Sequence, residues 1–320
     1  MLRVRTVKDI DDFLGAPDDP DGYADEIAQV WESGASRPDW CFVAEDRGSL
    51  IGRVGFLVEP TTSDPAWLGS LPSHELHPFG LHLDWEGGPV PAGQHLFTHA
   101  AHALGGQVPD LLEMRIYSEI HAHADRRCEL LETLGFDLFT EKRGFSWTDG
   151  GDIVEVPDRL TFQPVSVVGI EVYRAVMARC GGGTLDRNDR YYWDGCGARN
   201  WAEQMTQYLI DGDEPMWLIG YTDGEPVGYV AVVSDESFGS TIGHIGVVPE
   251  HRGNGYINDL ILAGTAAAQA AGNSKMLSDV DVVNEPMIMA MLRAGHNETT
   301  RPWHVWAYRT ALSKLAVVSP

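Results

Sequence analysis

The segment His244–Gly255, HIGVVPEHRGNG, runs directly into an apolar stretch, YINDLILAGTAAAQAA, that begins at Tyr256. The β-branched residues before Pro249 predict a strand, the glycines beside Arg252 predict a tight turn, and the apolar spacing after them predicts an amphipathic helix. The first amides of a helix have no intrahelical partner and lie at the positive end of the helix dipole. This order therefore predicts an anion site in which backbone N–H groups hold a phosphate, glycines let it come close, and Arg252 adds positive charge.

The same residues carry a resemblance to a known family. The pattern V-x-P-x-x-R-G-x-G, from Val247 to Gly255, resembles the acyl-CoA-binding motif of the GNAT superfamily of N-acetyltransferases. The resemblance implies that the backbones of Val247 and Val248 contact the pantetheine arm. The residues implied for the pyrophosphate are Arg252, Gly253, Asn254, Gly255, Tyr256 and Ile257. The family usually has Gly or Ala where Ile257 stands, so we expect its branched side chain to crowd or shift the phosphate.

Length and composition predict a globular protein of more than one domain. The chain has 320 residues, 43% of them hydrophobic, which is enough for two sizeable cores. The first residues lack the apolar centre of a signal peptide, and the four cysteines are widely spaced with no C-x-x-C pair. We therefore expect a cytoplasmic protein with reduced, mostly structural thiols and no zinc site.

The net charge is −24, which disfavours duplex nucleic acid and anionic membranes as partners. A cationic small-molecule amine would be attracted, although an acidic surface also serves solubility alone. We expect a monomer or a homodimer that binds neither nucleic acid nor membrane.

Two halves of the chain share one pattern. Residues 40–58 and 216–233 each read as a β-hairpin, and each half later has a strand, a helix and a glycine, at Gly135 and Gly295. Final strands are predicted in LFTEKRGFSW and WHVWAYR. The chain thus resembles a tandem GNAT protein of α/β class, with the mixed-sheet acyl-CoA N-acyltransferase fold twice. We place a degenerate domain at 1–150 and the motif-bearing domain at 151–320, joined by a linker at 148–158.

The first half lacks a usable phosphate turn. At the corresponding place, residues 81–97 read LHLDWEGGPVPAGQHLF, with no arginine. Pro89 and Pro91 remove backbone donors, while Asp84 and Glu86 repel phosphate. We expect this domain not to bind CoA and to serve as support and as one wall of a substrate cleft.

Catalytic residues are harder to assign. GNAT enzymes commonly use a glutamate on the motif strand and a tyrosine on a later helix, where this chain has Thr241 and Met291. The remaining candidates are His244, whose ordinary pKa suits a base near neutral pH, and Asp281, with Asp279 on the same strand face. The alternatives are a structural core histidine and a carboxylate that caps the next helix.

Further candidates lie on either side of the motif. The resemblance implies that Asn284 contacts pantetheine, although an ordinary helix N-cap is equally compatible. The stretch from Thr184 to Met205 either forms an amine pocket or packs its own loop and the interface with the first domain. The side chains concerned are aromatic Tyr191, Tyr192, Trp193 and Trp201 and acidic Asp186, Asp189 and Asp194.

Two other patterns are interpreted without ligands. His95, His99 and His102 share one helix face and are expected to be a solvated surface, so no metal site is predicted. Gly181–Gly183 is expected to end a helix.

These observations predict acetyl transfer from acetyl-CoA, or another acyl-CoA, to an amine of a small molecule by direct attack. No cysteine or serine stands in an activated setting for a covalent intermediate. The alternatives are a protein that binds acyl-CoA without catalysis and a ligand-sequestering protein.

Overall fold

The computed structural model describes residues 2–15, 23–58, 75–106, 108–209, 216–235, 239–299 and 304–317. The chain divides into two compact units, one formed by Met1–Phe139 with Trp306–Pro320 and the other by Thr140–Val305. Strands and helices of both units form the mixed α/β fold that the sequence predicted.

The first unit contains neighbouring strands in the order β1-β2-β3-β4-β5-β13. Pairing is antiparallel from β1 to β4 and parallel between β4 and β5. Its elements are β1 (Arg3–Thr6), α1 (Ile10–Leu14), α2 (Tyr23–Glu32), β2 (Cys41–Asp46), β3 (Ser49–Val58), β4 (Glu75–Leu83), α3 (Val90–Leu104), β5 (Leu111–Tyr117), α4 (Ala124–Thr133), β13 (His304–Ala311) from Trp306 onwards and α11 (Leu312–Ala316).

The second unit contains the strand order β6-β11-β10-β9-β8-β7. Its elements are β6 (Asp137–Thr148) from Thr140 onwards, β7 (Thr161–Pro164), α5 (Val165–Val168), α6 (Ile170–Gly181), α7 (Arg187–Cys196), α8 (Ala198–Leu209), β8 (Met216–Thr222), β9 (Glu225–Asp235), β10 (Gly239–Val247), α9 (Tyr256–Ala270), β11 (Lys275–Asp281), α10 (Glu285–Arg293) and β12 (Asn297–Glu298).

The sheet of the second unit has a hydrophobic core on each face. Alternate residues of β9 divide between them: Val230 and Val232 pack with α9 and α10, whereas Tyr229 and Ala231 pack with α6 and α8. This follows from the period of two along a strand that is buried on both sides. We call these the α9 face and the α6 face.

Both predicted hairpins are present. In the second, Asp223 and Gly224 connect β8 to β9 with φ of 50° and 83°. Two successive residues with positive φ are typical of the two-residue turn whose twist matches that of paired strands. The first hairpin connects β2 to β3 in the same way through Arg47 and Gly48.

The units are not separated by a single boundary near residue 150, because two strands belong to the unit of the other half. Strand β6, the last of the first half, pairs with β11 from Thr148↔Lys275 to Lys142↔Asp281 in the second unit. Strand β13, the last of the second half, neighbours β5 in the first unit. Each half therefore contributes its final strand to the other unit.

Candidate functional site

Strands β10 and β11 separate soon after they meet. They pair in parallel only at Ser240↔Met276 and Thr241↔Leu277, although β10 continues to Val247 and β11 to Asp281. A bulge between Ile242 and His244 shifts the register of β10 against β9. The result is an open splay along the last residues of β10, with Val247 and Val248 at its end. The contact of their backbones with pantetheine stays a prediction.

A short turn connects the open end of β10 to helix α9. Gly253 and Gly255 have φ of 81° and 77°, and a Cβ added at Gly253 would meet nothing within 4 Å. Among the backbone hydrogen bonds of the described residues, none uses the amides of residues 253–257 as donors. Free amides at a helix N-terminus can hold a pyrophosphate, so the geometry supports the predicted anion site.

The side chain of Arg252 has a different role from the expected one. Its guanidinium donates to the carbonyl oxygens of Val247 at 3.1 Å, Gly183 at 3.2 Å and Cys180 at 2.7 Å. These bonds fasten the end of α6 to the end of β10. Three of its five N–H donors therefore serve the fold, and the contribution of its charge to phosphate binding stays a prediction.

A second arginine contacts this turn. Arg159 donates to the carbonyl oxygens of Asn254 at 3.1 Å and Gly255 at 3.4 Å, and it pairs with buried Asp259 at 2.7 Å. Its guanidinium also lies over the Tyr256 ring, 5.3 Å from the centroid. No sequence pattern singles out Arg159, because it lies far from the motif along the chain.

Two other predicted cofactor residues have defined surroundings. Ile257 is partly buried and packs against the core of the α9 face, which accommodates the branched side chain expected to crowd the phosphate. Asn284 is the N-cap residue of α10, as the alternative has it, but its side chain makes no capping hydrogen bond. Its amide remains a candidate contact for pantetheine.

His244 lies beside the splay, just after the bulge, on the α6 face. Its Nε2 is 3.0 Å from an oxygen of Asp189, and its Nδ1 is 2.5 Å from the hydroxyl of Tyr229. The ring stacks on Tyr229 and meets Trp201 edge to face. The side chains of His244 and Asp189 are 13% and 15% exposed, so the pair is nearly but not wholly enclosed.

The electrostatic surroundings of each group favour its charged form. Burial opposes the charged imidazolium, but the Asp189 carboxylate outweighs it and raises the pKa of His244. Burial also opposes the charged form of Asp189, and His244 outweighs it and lowers the pKa of that carboxyl. Tyr229 stays neutral because burial raises its pKa well above the ordinary value.

Asp281 holds α7 in place. Its carboxylate accepts bonds from Nη2 of Arg187 at 2.7 Å, Nε of Arg187 at 2.9 Å, the Arg187 amide at 3.0 Å and the Val283 amide at 3.2 Å. Burial opposes its charged form, but the bonds from Arg187 prevail and lower the pKa of Asp281. A carboxylate so engaged is a poor base, so the catalytic prediction for Asp281 is corrected to an anchoring role. The alternative was that Asp281 caps helix α10. Its carboxylate instead accepts bonds from Arg187 and from the Val283 amide, which lies before that helix.

Lys142 adds a second attachment for α7. Its ammonium lies 3.3 Å from Asp186, the N-cap residue of α7, and 3.2 Å from Asp279 on β11. The first turn of α7 thus contacts β10 through Asp189 and β11 through Arg187. It lies across the splay on the α6 face.

The predicted aromatic pocket is mainly core packing. Trp201 is 1% exposed in the core of the α6 face, and the Trp193 indole donates to the carbonyl of Ala178 at 3.3 Å. Of the aspartates predicted there, Asp186 and Asp189 are paired as described, and Asp194 is exposed. Asp186 and Asp189 thus lie in the candidate site, whereas the buried aromatic rings pack in the core of the α6 face.

In the first unit, the carboxylate of Asp84 fills the turn that corresponds to the glycine turn before α9. Asp84 accepts a bond from the Gly87 amide at 2.9 Å, and a Cβ at Gly87 would lie 2.2 Å from that carboxylate. Helix α3 then begins at Val90, with Pro89 at its N-cap and Pro91 in its first turn. This geometry supports the prediction that the first half does not bind CoA.

The remaining sequence patterns have structural explanations. His99 and His102 are exposed on α3, and Gly181 ends α6. Within the described ranges, a set with metal-ligand spacing occurs elsewhere, at Glu75, His77 and Glu113. Arg309 pairs with both of its carboxylates and Arg115 with Glu113, so we interpret it as an ion-pair network. No described helix is long and apolar enough to cross a membrane.

Comparison with known proteins agrees with this geometry. The acetyltransferase (GNAT) family model matches residues 185–295, which contain α7, the splay, the glycine turn and α10. No curated protein sequence matches this chain significantly.

Solved structures extend the likeness to nearly the whole chain. A GCN5-related N-acetyltransferase from Sphaerobacter thermophilus aligns over 97% of this chain and 96% of its own, with a TM-score of 0.60 and 16% identity. A tandem GNAT protein from the clavulanic acid biosynthesis pathway aligns over 98% and 99%, with a TM-score of 0.55 and 13% identity. A GNAT-family acetyltransferase from Colwellia psychrerythraea aligns over 97% and 99%, at 0.50 and 13%. Residues 185–295 match the acetyltransferase (GNAT) family model, and the chain as a whole is similar in fold to a tandem GNAT protein.

Proposed function

We propose that this protein is an acyl-CoA-dependent N-acyltransferase that moves an acetyl group, or another acyl group, to an amine of a small molecule. The observation that carries the proposal is the open splay of β10 from β11, followed at once by free amides at residues 253–257. An acyl-CoA supplies a thioester carbonyl for attack by the amine. Such a donor needs a free strand edge that binds its pantetheine and free backbone amides that bind its pyrophosphate.

The chain's own residues supply the rest of the chemistry. The acceptor amine must lose a proton before or during attack, and His244 is the base that we propose. Nε2 carries the hydrogen donated to the Asp189 carboxylate, so Nδ1 holds the lone pair, and the Tyr229 hydroxyl lies 2.5 Å from it. In the proposed step the hydrogen of the Tyr229 hydroxyl passes to Nδ1 while the Tyr229 oxygen takes the proton that the amine loses, so Tyr229 stays neutral and His244 becomes an imidazolium.

Helix α7 sets the acceptor side of the site. It carries Asp186 and Asp189 over the splay, and Asp279 faces them from β11. These carboxylates, with an overall charge of −24, favour a cationic or neutral amine over an anionic acceptor.

The first experiment is calorimetric titration with acetyl-CoA of wild type, Gly253→Asp and Gly272→Asp. Both glycines have positive φ and open surroundings, and they lie before and after helix α9. Aspartate tolerates that conformation, so the variants differ mainly in where the new negative charge falls. We expect Gly253→Asp to weaken binding at least tenfold and Gly272→Asp to leave it unchanged.

Two results would contradict the proposal. Equal binding by both variants would mean that the amide cradle does not hold the pyrophosphate, and no acyl-CoA binding by wild type would remove the donor. A panel of small amines with thiol release as the readout then tests transfer. Tight donor binding without turnover on any amine would favour a binding protein over an enzyme.

A further inference from the structure

Three side chains from three elements form one hydrogen-bonded chain beside the splay. Asp189 of α7, His244 of β10 and Tyr229 of β9 are joined by contacts of 3.0 Å and 2.5 Å. Asp189 was singled out in the sequence only as one of several acidic residues near aromatic ones. The structure gives it a specific partner 55 positions away.

We propose that Asp189 is a positioning residue that fixes the orientation and tautomer of His244, so that Nδ1 is the nitrogen that accepts a proton, through the Tyr229 hydroxyl. This inference rests on the proposed function, because it assigns a partner to the proposed base. It extends that function by naming the carboxylate, that of Asp189, that orients His244 to act as a base.

The tautomer follows from the hydrogen-bonding capacity of each group. An ionised carboxylate can only accept, so the Nε2 that faces Asp189 must carry a hydrogen. A neutral imidazole with hydrogen on Nε2 has its lone pair on Nδ1. Tyr229 can donate to that lone pair and can also accept from the imidazolium, so its hydroxyl tolerates both protonation states of His244.

Asp189 is itself held rigidly. The carboxylate of Asp186 accepts bonds from the amides of Asn188 at 3.0 Å and Asp189 at 3.1 Å, which fixes the first turn of α7. Arg187 in the same turn is fastened to Asp281 by bonds from its side chain and its amide. A carboxylate on a turn with these attachments has little freedom to leave His244, which is the condition for positioning a base.

The charges around His244 come from each element that packs against it. Asp189 and Asp186 on α7 favour the imidazolium, Lys142 on β6 opposes it, and Tyr229 on β9 is neutral. Burial also opposes it. Because Asp189 is the carboxylate in direct contact, its removal is expected to change the titration of His244 more than the loss of any other group.

The test uses Asp189→Asn, with Asp194→Asn on the same helix as the matched control. Asp194 is exposed, so this control removes one negative charge without touching His244. The first readout is the pH titration of the His244 ring by NMR in the full-length protein, which needs no substrate. We expect Asp189→Asn to lower the pKa of His244 by about one unit, a tenfold change in its dissociation constant, and Asp194→Asn to leave it unchanged.

The second readout is the pH profile of kcat/KM with acetyl-CoA and an amine that wild type acetylates. Asp189→Asn should move the acidic limb to lower pH and lower kcat by about a hundredfold, with KM for acetyl-CoA unchanged. Asp189→Glu, which restores a carboxylate, should recover part of kcat. A merely structural role for Asp189 would not move the acidic limb.

An unchanged His244 titration in Asp189→Asn would overturn the inference whatever the activity. If that variant does not fold, Asp189→Ser removes the carboxylate without added volume and is read in the same way. If wild type shows the expected titration but no turnover, the positioning contact stands and the proposed function fails. If turnover is present but the acidic limb stays in place, Asp189 does not position the base.

Discussion

Gly228 on β9 packs directly against the backbone of β10 at its open end. A Cβ at this position would lie 2.3 Å from the Gly246 carbonyl oxygen, 3.1 Å from the Val247 Cα and 2.9 Å from a Leu260 methyl group. Two of these neighbours are backbone atoms of β10, so they cannot move without displacing the strand that borders the splay. A side chain here would therefore disturb both the core and the donor site.

We expect Gly228→Ala to lower the free energy of unfolding by about 3 kcal/mol, near the upper end for overpacking a core. Gly150→Ala is the control, because a Cβ there meets nothing within 4 Å and its φ is not positive. Chemical denaturation measures both, and acetyl-CoA titration of the folded fraction measures the effect on the splay. A loss of less than about 0.5 kcal/mol in Gly228→Ala would show that β10 can move away from β9.

Helix α7 contacts both strands of the splay, β10 through Asp189 and β11 through Arg187. Besides the pair of Asp186 with Lys142, two ion pairs attach it, Arg187 with Asp281 and Asp189 with His244, and the pH dependence of these two has opposite sign. Asp281 has a lowered pKa, so its contribution is present above the ordinary carboxyl value near 4 and is lost as pH falls through the lowered value. His244 has a raised pKa, so its contribution is complete below about 6.5 and is lost as pH rises through the raised value.

We therefore expect the amides of α7 to be best protected from hydrogen exchange between about pH 4 and 6.5, and less protected at about pH 9. Protection factors corrected for intrinsic exchange are the measurement. His244→Gln should abolish the loss on the alkaline side and keep the loss on the acidic side. Uniform protection of α7 from pH 6 to 9 in wild type would mean that the contact with His244 does not fasten the helix.

Across the whole molecule, the final strand of each half belongs to the other unit. Strand β6 completes the sheet of the second unit through its ladder with β11. In the first unit, Tyr308 of β13 and Leu312 and Leu315 of α11 are buried in the hydrophobic core. Arg309 pairs there with buried Glu75 and Glu113. Each unit is therefore incomplete if the chain is cut between the two predicted domains.

This predicts how fragments of the second half will behave. Fragment 140–305 retains β6, whereas fragment 151–305 loses it and exposes the edge of β11. We expect the longer fragment to unfold in one cooperative thermal transition and the shorter one to aggregate or melt without cooperativity. Equal cooperativity in both would show that β6 is dispensable, and the boundary near 150 would then serve as well as that near 140.

Local sequence was sufficient wherever a feature depends on neighbours along the chain. The hairpin turns at Arg47–Gly48 and Asp223–Gly224 and the glycine turn before α9 were predictable, because backbone conformation and periodicity are local properties. The correspondence between the halves led to the tandem fold for the same reason. The part that local pattern did not determine was which unit each final strand joins, since β6 and β13 have similar strand patterns and either sheet edge accepts one.

The sequence by itself determined the fold class, the repeat and the strand, turn and helix of the donor site, because each rests on local backbone preference. Only the tertiary structure decided which charges meet: Arg252 with carbonyls of α6 and β10, Asp281 with Arg187, and His244 with Asp189. These partners lie tens of residues apart, and no periodicity connects them. Side-chain pairing depends on how strands and helices pack, so the chemistry of the site follows from the fold rather than from the motif.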